Sequence, residues 1–182
     1  MTPNRYNEYM EMKYCRRCNS KLVNLHDHVY KCENAHTVYA NSSPACALFL
    51  LNDTHEVLVA IRAHNPGKGR FDVPGGFCDD YETLEAALQR ELIEEIGLTP
   101  DQYSTPTYIT SALDKYDYGG EVINVLSGLF WARIKGTPTF TPQDDVASVQ
   151  FISVNDLNAE EFYFNAVQVG FRQLQESLNR SL

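Results

Sequence analysis

The chain has 182 residues, which suits one domain of ordinary size, alone or with a small appendage. Hydrophobic residues make up 43% and charged residues 21%, a composition typical of globular rather than disordered proteins. The net charge of -9 argues against a protein that coats long nucleic acids or anionic membranes. The sequence contains no run of ~20 apolar residues and no signal-peptide core, so we expect a cytoplasmic protein that spans no membrane.

Three cysteines and a histidine near the N-terminus have the spacing of a zinc site: Cys15, Cys18, Cys32 and His36. The first two form a C-x2-C pair, and the histidine follows the last cysteine by four residues. This pattern predicts a tetrahedral Cys3His site on two hairpin knuckles, where a structural Zn2+ supplies the stability that so few apolar side chains cannot. His26 and His28 lie between the knuckles and are alternatives for the fourth ligand. The sequence thus predicts a zinc ribbon over residues 1–40.

The hydrophobic pattern then changes to one of separated strands and helices. A buried strand is predicted at Ala45–Leu51, and its hairpin partner at Val57–Ile61. Residues 63–70 contain Pro and Gly and are predicted to form a loop, which the short interrupted strand FDVPGGF follows. Leucines and an isoleucine recur at every fourth position within Thr83–Ile96, which predicts a helix that ends at Gly97.

The second half of this domain repeats the mixture of strands and helix. Three further strands are predicted, at Thr107–Ser111, Val122–Ile134 and Val149–Ile152. The turn YDYGG lies between the first two, and a final helix is predicted from Asn155 or Asp156 to about Leu178. Strands mixed with two well-separated helices predict a layered α/β or α+β domain over residues 41–182.

The segment GGFCDDYETLEAALQRELIEEIGL holds the most regular charge pattern in the chain. Its constrained positions are Gly76, Glu82, Arg90, Glu91, Leu92, Glu94, Glu95, Gly97 and Leu98. This segment resembles the Nudix box of the Nudix hydrolase family at every fixed position, and FDVPGGF resembles the strand and loop that precede that box. The resemblance implies an α/β/α sandwich with a mixed sheet. It also implies an enzyme that uses Mg2+ or Mn2+ to hydrolyse a nucleoside diphosphate linked to another group.

Three of the four glutamates of the predicted helix would share one face. Glu91, Glu94 and Glu95 are spaced i, i+3 and i+4, so their like charges repel unless a cation lies between them. Mg2+ prefers carboxylate oxygens and keeps waters for substrate phosphates. The resemblance implies that Glu91 and Glu95 bind the metal directly, while Glu94 binds directly or through water and is a candidate base. It also implies a role for the Gly75 carbonyl as a further ligand and for Gly76 in the phosphate-facing loop.

Other charged residues are candidates for supporting roles. Arg90 is expected to hold Glu91 or Glu82 by a forked hydrogen bond. A remote acid often completes such sites by resemblance, and DDVASVQFI favours Asp145 over the alternatives Asp144 and Glu121.

The loop between Arg62 and Arg70 carries three cations and no acid. Arg62 and Arg70 are therefore candidates for contact with substrate phosphate, and a solvated loop is the alternative.

A zinc ribbon before a Nudix domain resembles the NADH pyrophosphatase arrangement. The downstream Ser-Gln-Pro-Trp-Pro-Phe-Pro string of that subgroup is absent, and the sole tryptophan, Trp131, lies in a predicted strand. A dinucleotide such as FAD or NADH, ADP-ribose and nucleotide sugars therefore all stand as substrates. The alternatives are a Nudix-fold protein that senses a nucleotide without cleaving it and a zinc-ribbon nucleic-acid adaptor. The resemblance also allows a homodimer.

Overall fold

The computed structural model describes residues 13–118 and 120–180, without the side chains of Tyr118 and Glu121. Glu121, one of the alternative remote acids, therefore lies outside the described side chains. The chain divides into two compact units, Met1–Ser42 and Ser43–Leu182. The boundary predicted from the sequence lies two residues earlier, after residue 40. Within the described part, no helix is long and apolar enough to cross a membrane.

The first unit is a three-stranded antiparallel sheet. Its strands are β1 (Leu22–His26), β2 (Val29–Cys32) and β3 (Thr37–Tyr39), in the order β1-β2-β3. Its buried hydrophobic cluster is small and consists of Cys15, Tyr30, Cys32 and Val38. Because two of these four residues are predicted zinc ligands, the predicted metal site coincides with the core of the unit.

The second unit is built on a seven-stranded mixed sheet. Its strands are β4 (Ser43–Leu51), β5 (Glu56–Arg62), β6 (Phe71–Asp72), β7 (Gly75–Phe77), β8 (Thr107–Tyr118), β9 (Glu121–Arg133) and β10 (Val146–Ser153). The main order is β10-β5-β4-β9-β8, with β6 paired to β5 and β7 paired to β4. The pairing of β4 with β9 is parallel and the other pairings are antiparallel.

Two helices cover the two faces of this sheet. Helix α1 (Leu84–Ile96) packs on one face with Leu48 and Leu50 of β4, and α2 (Asn165–Asn179) packs on the other with Phe49 and Leu51. Alternate side chains of a strand point to opposite faces, so the fully buried run of β4 serves both cores. The predicted α/β/α sandwich is confirmed.

Local sequence explains where α1 begins and ends. The Thr83 side chain accepts a hydrogen bond from the Ala86 N–H, as an N-cap residue does. Gly97 adopts φ +71°, and its N–H donates to the Ile93 carbonyl at 3.1 Å. A residue with a side chain is strained in this conformation, which is why glycine ends the helix here.

Two predicted boundaries were wrong. Strand β8 continues to Tyr118, so Tyr116 lies within a strand and not in a turn. The final helix begins at Asn165 rather than at Asn155 or Asp156. The preceding segment instead forms a 3-10 turn at Ala159–Glu161 and fills the core beside α2 with three buried side chains: Leu157, Ala159 and Phe162.

Candidate active site

The three glutamates in the second half of α1, Glu91, Glu94 and Glu95, lie in three different environments. The Glu95 residue is 5% exposed, whereas the Glu91 side chain is 13% exposed and that of Glu94 is 50% exposed. Glu95 Oε2 accepts a hydrogen bond of 2.9 Å from the Gly75 N–H. The helix thus places one carboxylate against the Gly-Gly loop, one at the edge of the site and one in solvent.

Arg90 donates hydrogen bonds to three acids of the box, Glu82, Glu91 and Glu94. Its Nε and Nη2 donate to the two oxygens of Glu82, each at 2.9 Å, which is the forked geometry. Its Nη1 donates to Glu91 Oε1 at 2.8 Å and to Glu94 Oε2 at 3.1 Å, while Nη2 also donates to the Phe77 carbonyl at 2.9 Å. Of the two carboxylates considered from sequence, Glu82 is therefore the one held by the fork.

Glycine is required at two positions beside these acids. Gly75 has φ +148°, and a Cβ there would overlap the Cys46 carbonyl on the paired strand β4. At Gly76, a Cβ would lie 2.7 Å from Glu91 Cδ and would overlap its carboxylate. Both glycines thus let the loop backbone approach β4 and the Glu91 carboxylate closely.

The site concentrates negative charge away from water. Burial raises the pKa of Glu95 to about 9, with the nearby Glu91, Asp72 and Asp145 adding to the shift. Burial also raises the pKa of Glu91, against the opposing effect of Arg90. A divalent cation would supply the positive charge that these carboxylates lack, so the residues present fit a Mg2+ or Mn2+ ion.

The turn before β10 brings a distant acid to the site. The Gln143 N–H donates to the Glu95 carbonyl at 2.8 Å, and the Thr141 N–H donates to the Ile96 carbonyl at 3.0 Å. These bonds use carbonyls that the end of a helix leaves unpaired. They fix the turn against α1, and Asp145, two residues further on, lines the pocket described next.

A pocket opens between the Gly-Gly loop, strands β8 and β9, and the start of α2. It opens to solvent and is lined by apolar, aromatic and charged side chains, as ligand sites commonly are. Phe77, Tyr116 and Phe164 line one wall. The Tyr116 ring stacks on Phe164 at 5.7 Å between centroids, and the Phe77 ring meets Tyr116 edge-on at 5.3 Å.

Arg62 forms part of the polar wall of the pocket. Its Nη1 donates to Asp72 Oδ2 at 2.8 Å, its Nε donates to the Pro66 carbonyl at 2.7 Å, and its Cζ lies 4.8 Å from the centre of the Phe164 ring. Its Nη2 is buried and has no hydrogen-bond partner among the described residues.

The protein-family model described as the NUDIX domain matches residues 42–171 of this chain. The chain belongs to the Nudix family. An ADP-ribose pyrophosphatase of Methanocaldococcus jannaschii is 33% identical over 108 residues, which cover 59% of this chain and 60% of that protein. An NAD-capped RNA hydrolase NudC of Escherichia coli O1:K1 is 26% identical over 151 residues, which cover 76% of this chain and 58% of that protein. The match to these Nudix relatives thus extends over three fifths or less of their length.

Solved structures agree on the Nudix fold. A NUDIX hydrolase from Nitrosomonas europaea aligns with a TM-score of 0.68 and 20% identity over 93% of both chains. The NUDIX domain of Shewanella oneidensis NrtR, solved with ADP ribose, aligns with a TM-score of 0.61 and 19% identity over 77% of this chain and 90% of that one. At such identities the likeness concerns the fold alone.

The other cations of the 62–70 loop lie outside the Nudix pocket lining. Arg70 is exposed, and its Nη2 donates to the carbonyls of Glu160 and Glu161 at 3.3 and 3.5 Å. Lys68 is exposed as well. Of the three loop cations, the structure brings Arg62 to the pocket. Sequence reasoning missed Asp72, although an acid placed between the apolar residues of FDV is a recognisable sign of a buried ion pair.

The predicted zinc ligands converge in the first unit. Their donor atoms all lie within 4.8 Å of one another in the set Cys15, Cys18, Cys32 and His36. The distance from Cys15 Sγ to His36 Nδ1 is 3.6 Å, and that between Cys18 Sγ and Cys32 Sγ is also 3.6 Å. Zn–S bonds of about 2.3 Å at tetrahedral angles place two sulfurs about 3.8 Å apart, so the set fits zinc.

The local environment of the ligands also favours zinc. Hydrogen bonds from Asn34 and Ser20 lower the pKa of Cys18 to about 5, which favours the thiolate that binds metal. The alternatives for the fourth ligand lie elsewhere, because His26 pairs with Asp27 and the His28 ring packs near Tyr39. The structure therefore gathers His36 with the cysteines.

Proposed function

We propose that the Nudix domain hydrolyses the pyrophosphate linkage of a nucleoside diphosphate joined to a second group. The observation that carries this proposal is the buried Glu95 carboxylate, which accepts a hydrogen bond from the Gly75 N–H at the pocket lined by Gly75 and Asp145. A dinucleotide such as FAD or NADH, ADP-ribose and nucleotide sugars share the linkage. The names of two relatives, an ADP-ribose pyrophosphatase and an NAD-capped RNA hydrolase, support this class of bond.

The carboxylates of α1 would hold the catalytic Mg2+ or Mn2+. Glu91 and Glu95 are the direct ligands in this proposal, with the Gly75 carbonyl beside them, while the exposed Glu94 binds directly or through water. When bound, the ion neutralises phosphate charge and lowers the pKa of a coordinated water. Arg90 donates to Glu91 and at the same time grips Glu82, so it fixes the direction in which the Glu91 carboxylate points.

The remaining residues act on water and substrate. Glu94 and Asp145 are the candidate acceptors for the proton of the attacking water, one exposed on α1 and the other lining the pocket. Arg62 donates to a substrate phosphate, and Gly76 keeps the loop backbone close to it. Arg70 remains a candidate only for a substrate part that reaches beyond the pocket, because its guanidinium lies on the carbonyls of Glu160 and Glu161.

A substrate panel tests the reaction class. Folded protein is incubated with Mg2+ and NADH, FAD, ADP-ribose, nucleotide sugars or an NAD-capped RNA, and nucleotide products are separated by chromatography. Release of a nucleoside monophosphate from at least one small substrate is expected, and the net charge of -9 predicts slower reaction with the capped RNA. No release from any member by folded protein would contradict the proposal and favour a nucleotide sensor.

The first unit is proposed to be a structural zinc ribbon. None of the five cysteines, all of which lie within the described residues, forms a disulfide, which supports the expectation of a cytoplasmic protein. Elemental analysis of the purified chain is expected to find one zinc per chain. Protein that is folded over residues 13–42 and contains no zinc would overturn this assignment.

A further inference from the structure

The negative charge of the chain belongs to its second unit. Residues 43–182 contain twenty Asp or Glu and nine Lys or Arg, whereas residues 1–42 contain four and six. The first unit is therefore basic, with a net charge of +2 against -11 for the second. The repulsion of nucleic acids that the overall charge of -9 predicts thus originates in the Nudix domain and not in the first unit.

Strand register divides the side chains of the first unit between two faces of its sheet. Tyr14 is opposite Lys21 in an isolated antiparallel bridge, and Lys31 is opposite both Val23 on β1 and Thr37 on β3. Directly opposed side chains point to the same side of a sheet, and so do those of residues two apart along a strand. The inner face carries the buried cluster of this unit. The outer face carries six side chains, all of them exposed: Tyr14, Lys21, Val23, Lys31, Thr37 and Tyr39.

The outer face combines exposed rings with positive charge that nothing neutralises. The exposed fractions are 55% for Tyr14, 64% for Val23 and 58% for Tyr39. Within residues 13–42, no Lys or Arg forms an ion pair with an acid of the described chain. The two acids of that range, Asp27 and Glu33, follow β1 and β2 and lie outside the strands. This face therefore suits a ligand that carries both negative charge and flat apolar groups.

We propose that the outer face binds single-stranded nucleic acid, with bases stacked on Tyr14 and Tyr39 and phosphates at Lys21 and Lys31. Unpaired bases stack on aromatic side chains that a sheet displays, and every base has a ring face to offer. Lysine supplies an attraction to phosphate that is independent of base sequence. An acidic peptide would also neutralise the lysines, but a nucleic acid supplies both a charge and a planar ring at every unit of its chain. This binding site lies in the first unit and does not depend on hydrolysis in the second.

The direct test measures binding of the full chain to short oligouridylate and oligothymidylate by fluorescence anisotropy, in buffer without Mg2+ or Mn2+. The oligonucleotides have 5′-hydroxyl ends and contain no pyrophosphate bond, so the Nudix reaction has no substrate. Phosphate contacts by two lysines predict that the logarithm of the binding constant falls against that of the salt concentration with a slope of about -1.4 or steeper. Lys31→Gln should weaken binding and reduce the slope by about 0.7. The matched control is Lys135→Gln, which removes an exposed lysine of the second unit and should change neither quantity.

A second comparison tests the stacking. Tyr39→Leu keeps an apolar side chain and removes the ring, so it should weaken oligonucleotide binding by about fivefold or more, and Tyr14→Leu should do the same. Inorganic polyphosphate, which has charge but no bases, should bind these variants as it binds the wild type. The matched control is Tyr81→Leu, which removes a 99% exposed tyrosine of the second unit and should leave binding within about twofold of wild type. Circular dichroism and thermal unfolding check that each variant is folded.

Each outcome decides for or against the proposal. Binding of either oligonucleotide, with the expected losses in Lys31→Gln and in a tyrosine variant, supports it whether or not the substrate panel shows hydrolysis. No binding by folded wild-type protein overturns it, as does a salt slope that Lys31→Gln leaves unchanged. Full oligonucleotide binding by both tyrosine variants, or tighter binding of an oligoglutamate of equal charge, overturns the assignment to nucleic acid.

Discussion

Gly76→Ala tests whether the position of the Glu91 carboxylate limits activity. The new Cβ would overlap Glu91 Oε1 and lie 2.7 Å from Cδ, so the carboxylate has to retreat by about 1 Å before its nearest oxygen reaches 3.4 Å, where ordinary contacts begin. A misplacement approaching 1 Å lowers rates by up to about 100-fold. We expect kcat/KM to fall by about 10- to 100-fold, which corresponds to about 1.4 to 2.7 kcal/mol of the barrier.

The stability of the variant should change much less. The displaced group is the end of a flexible side chain, and alanine reduces the entropy of the unfolded chain, so the free energy of unfolding should change by less than about 1 kcal/mol. The assay is initial rates on the best panel substrate over a range of Mg2+ concentrations, with urea unfolding in parallel. Excess Mg2+ should recover part of the rate, because the shifted carboxylate binds the ion more weakly.

Gly128→Ala is the matched control. There the added Cβ would lie 2.8 Å from Leu84 Cδ1 and 3.2 Å from Phe130 Cε2, with no carboxylate among its nearest neighbours. It should cost about 1–3 kcal/mol of stability through overpacking and leave kcat/KM of the folded protein close to that of wild type. The reasoning is refuted if Gly76→Ala keeps wild-type kcat/KM, or if Gly128→Ala loses as much.

Three further predictions follow from the same geometry. Glu95→Gln should lower kcat by orders of magnitude with an unchanged circular dichroism spectrum; near-normal turnover would exclude Glu95 as a metal ligand. In buffer without Mg2+ or Mn2+, wild-type stability should fall as pH rises from about 5 to 9, since folded Glu95, with a pKa of about 9 against an ordinary 4.5, keeps a proton that the unfolded chain releases. Urea unfolding of Glu95→Gln should lose this slope, and an unchanged slope would contradict the assignment. Arg90→Lys cannot keep both bonds to Glu82, so kcat/KM should drop by about tenfold or more, whereas an effect under twofold would show that the fork is dispensable.

The sequence was most informative where function imposes a fixed spacing on one element. Glu91 and Glu95 are four residues apart on a helix, while Leu88 and Leu92 are buried in the core against the sheet, so residue spacing alone indicated which side chains share a face. The cysteine spacing was informative for the same reason, because tetrahedral coordination of a metal ion imposes a geometry that two short knuckles satisfy. In both cases the chemistry is local in the chain.

The parts that the sequence left open depend on contacts between distant segments. The acid within FDV signals a buried ion pair, but nothing local identifies Arg62 as its partner. Nor does anything local indicate that Phe164, about a hundred residues later, covers the Arg62 guanidinium. The start of the final helix was misplaced because Asn155 and Asp156 have the chemistry of helix caps, while burial of Leu157 and Phe162 in the core decided the backbone path. Tertiary packing overrode local preference at that point.

The bonds from Thr141 and Gln143 to the end of α1 also bear on how this domain can change in length. Thr141 and Gln143 lie near the end of the segment that joins β9 to β10. The start of this segment is fixed separately, because the Lys135 N–H donates to the Gln102 carbonyl at 2.8 Å. A loop anchored at both ends can gain or lose residues in its middle without moving either anchor. Insertions at the exposed residues 136–137 are therefore expected to leave the position of Asp145 relative to Glu95 unchanged, which makes this short stretch the natural place to attach a tag.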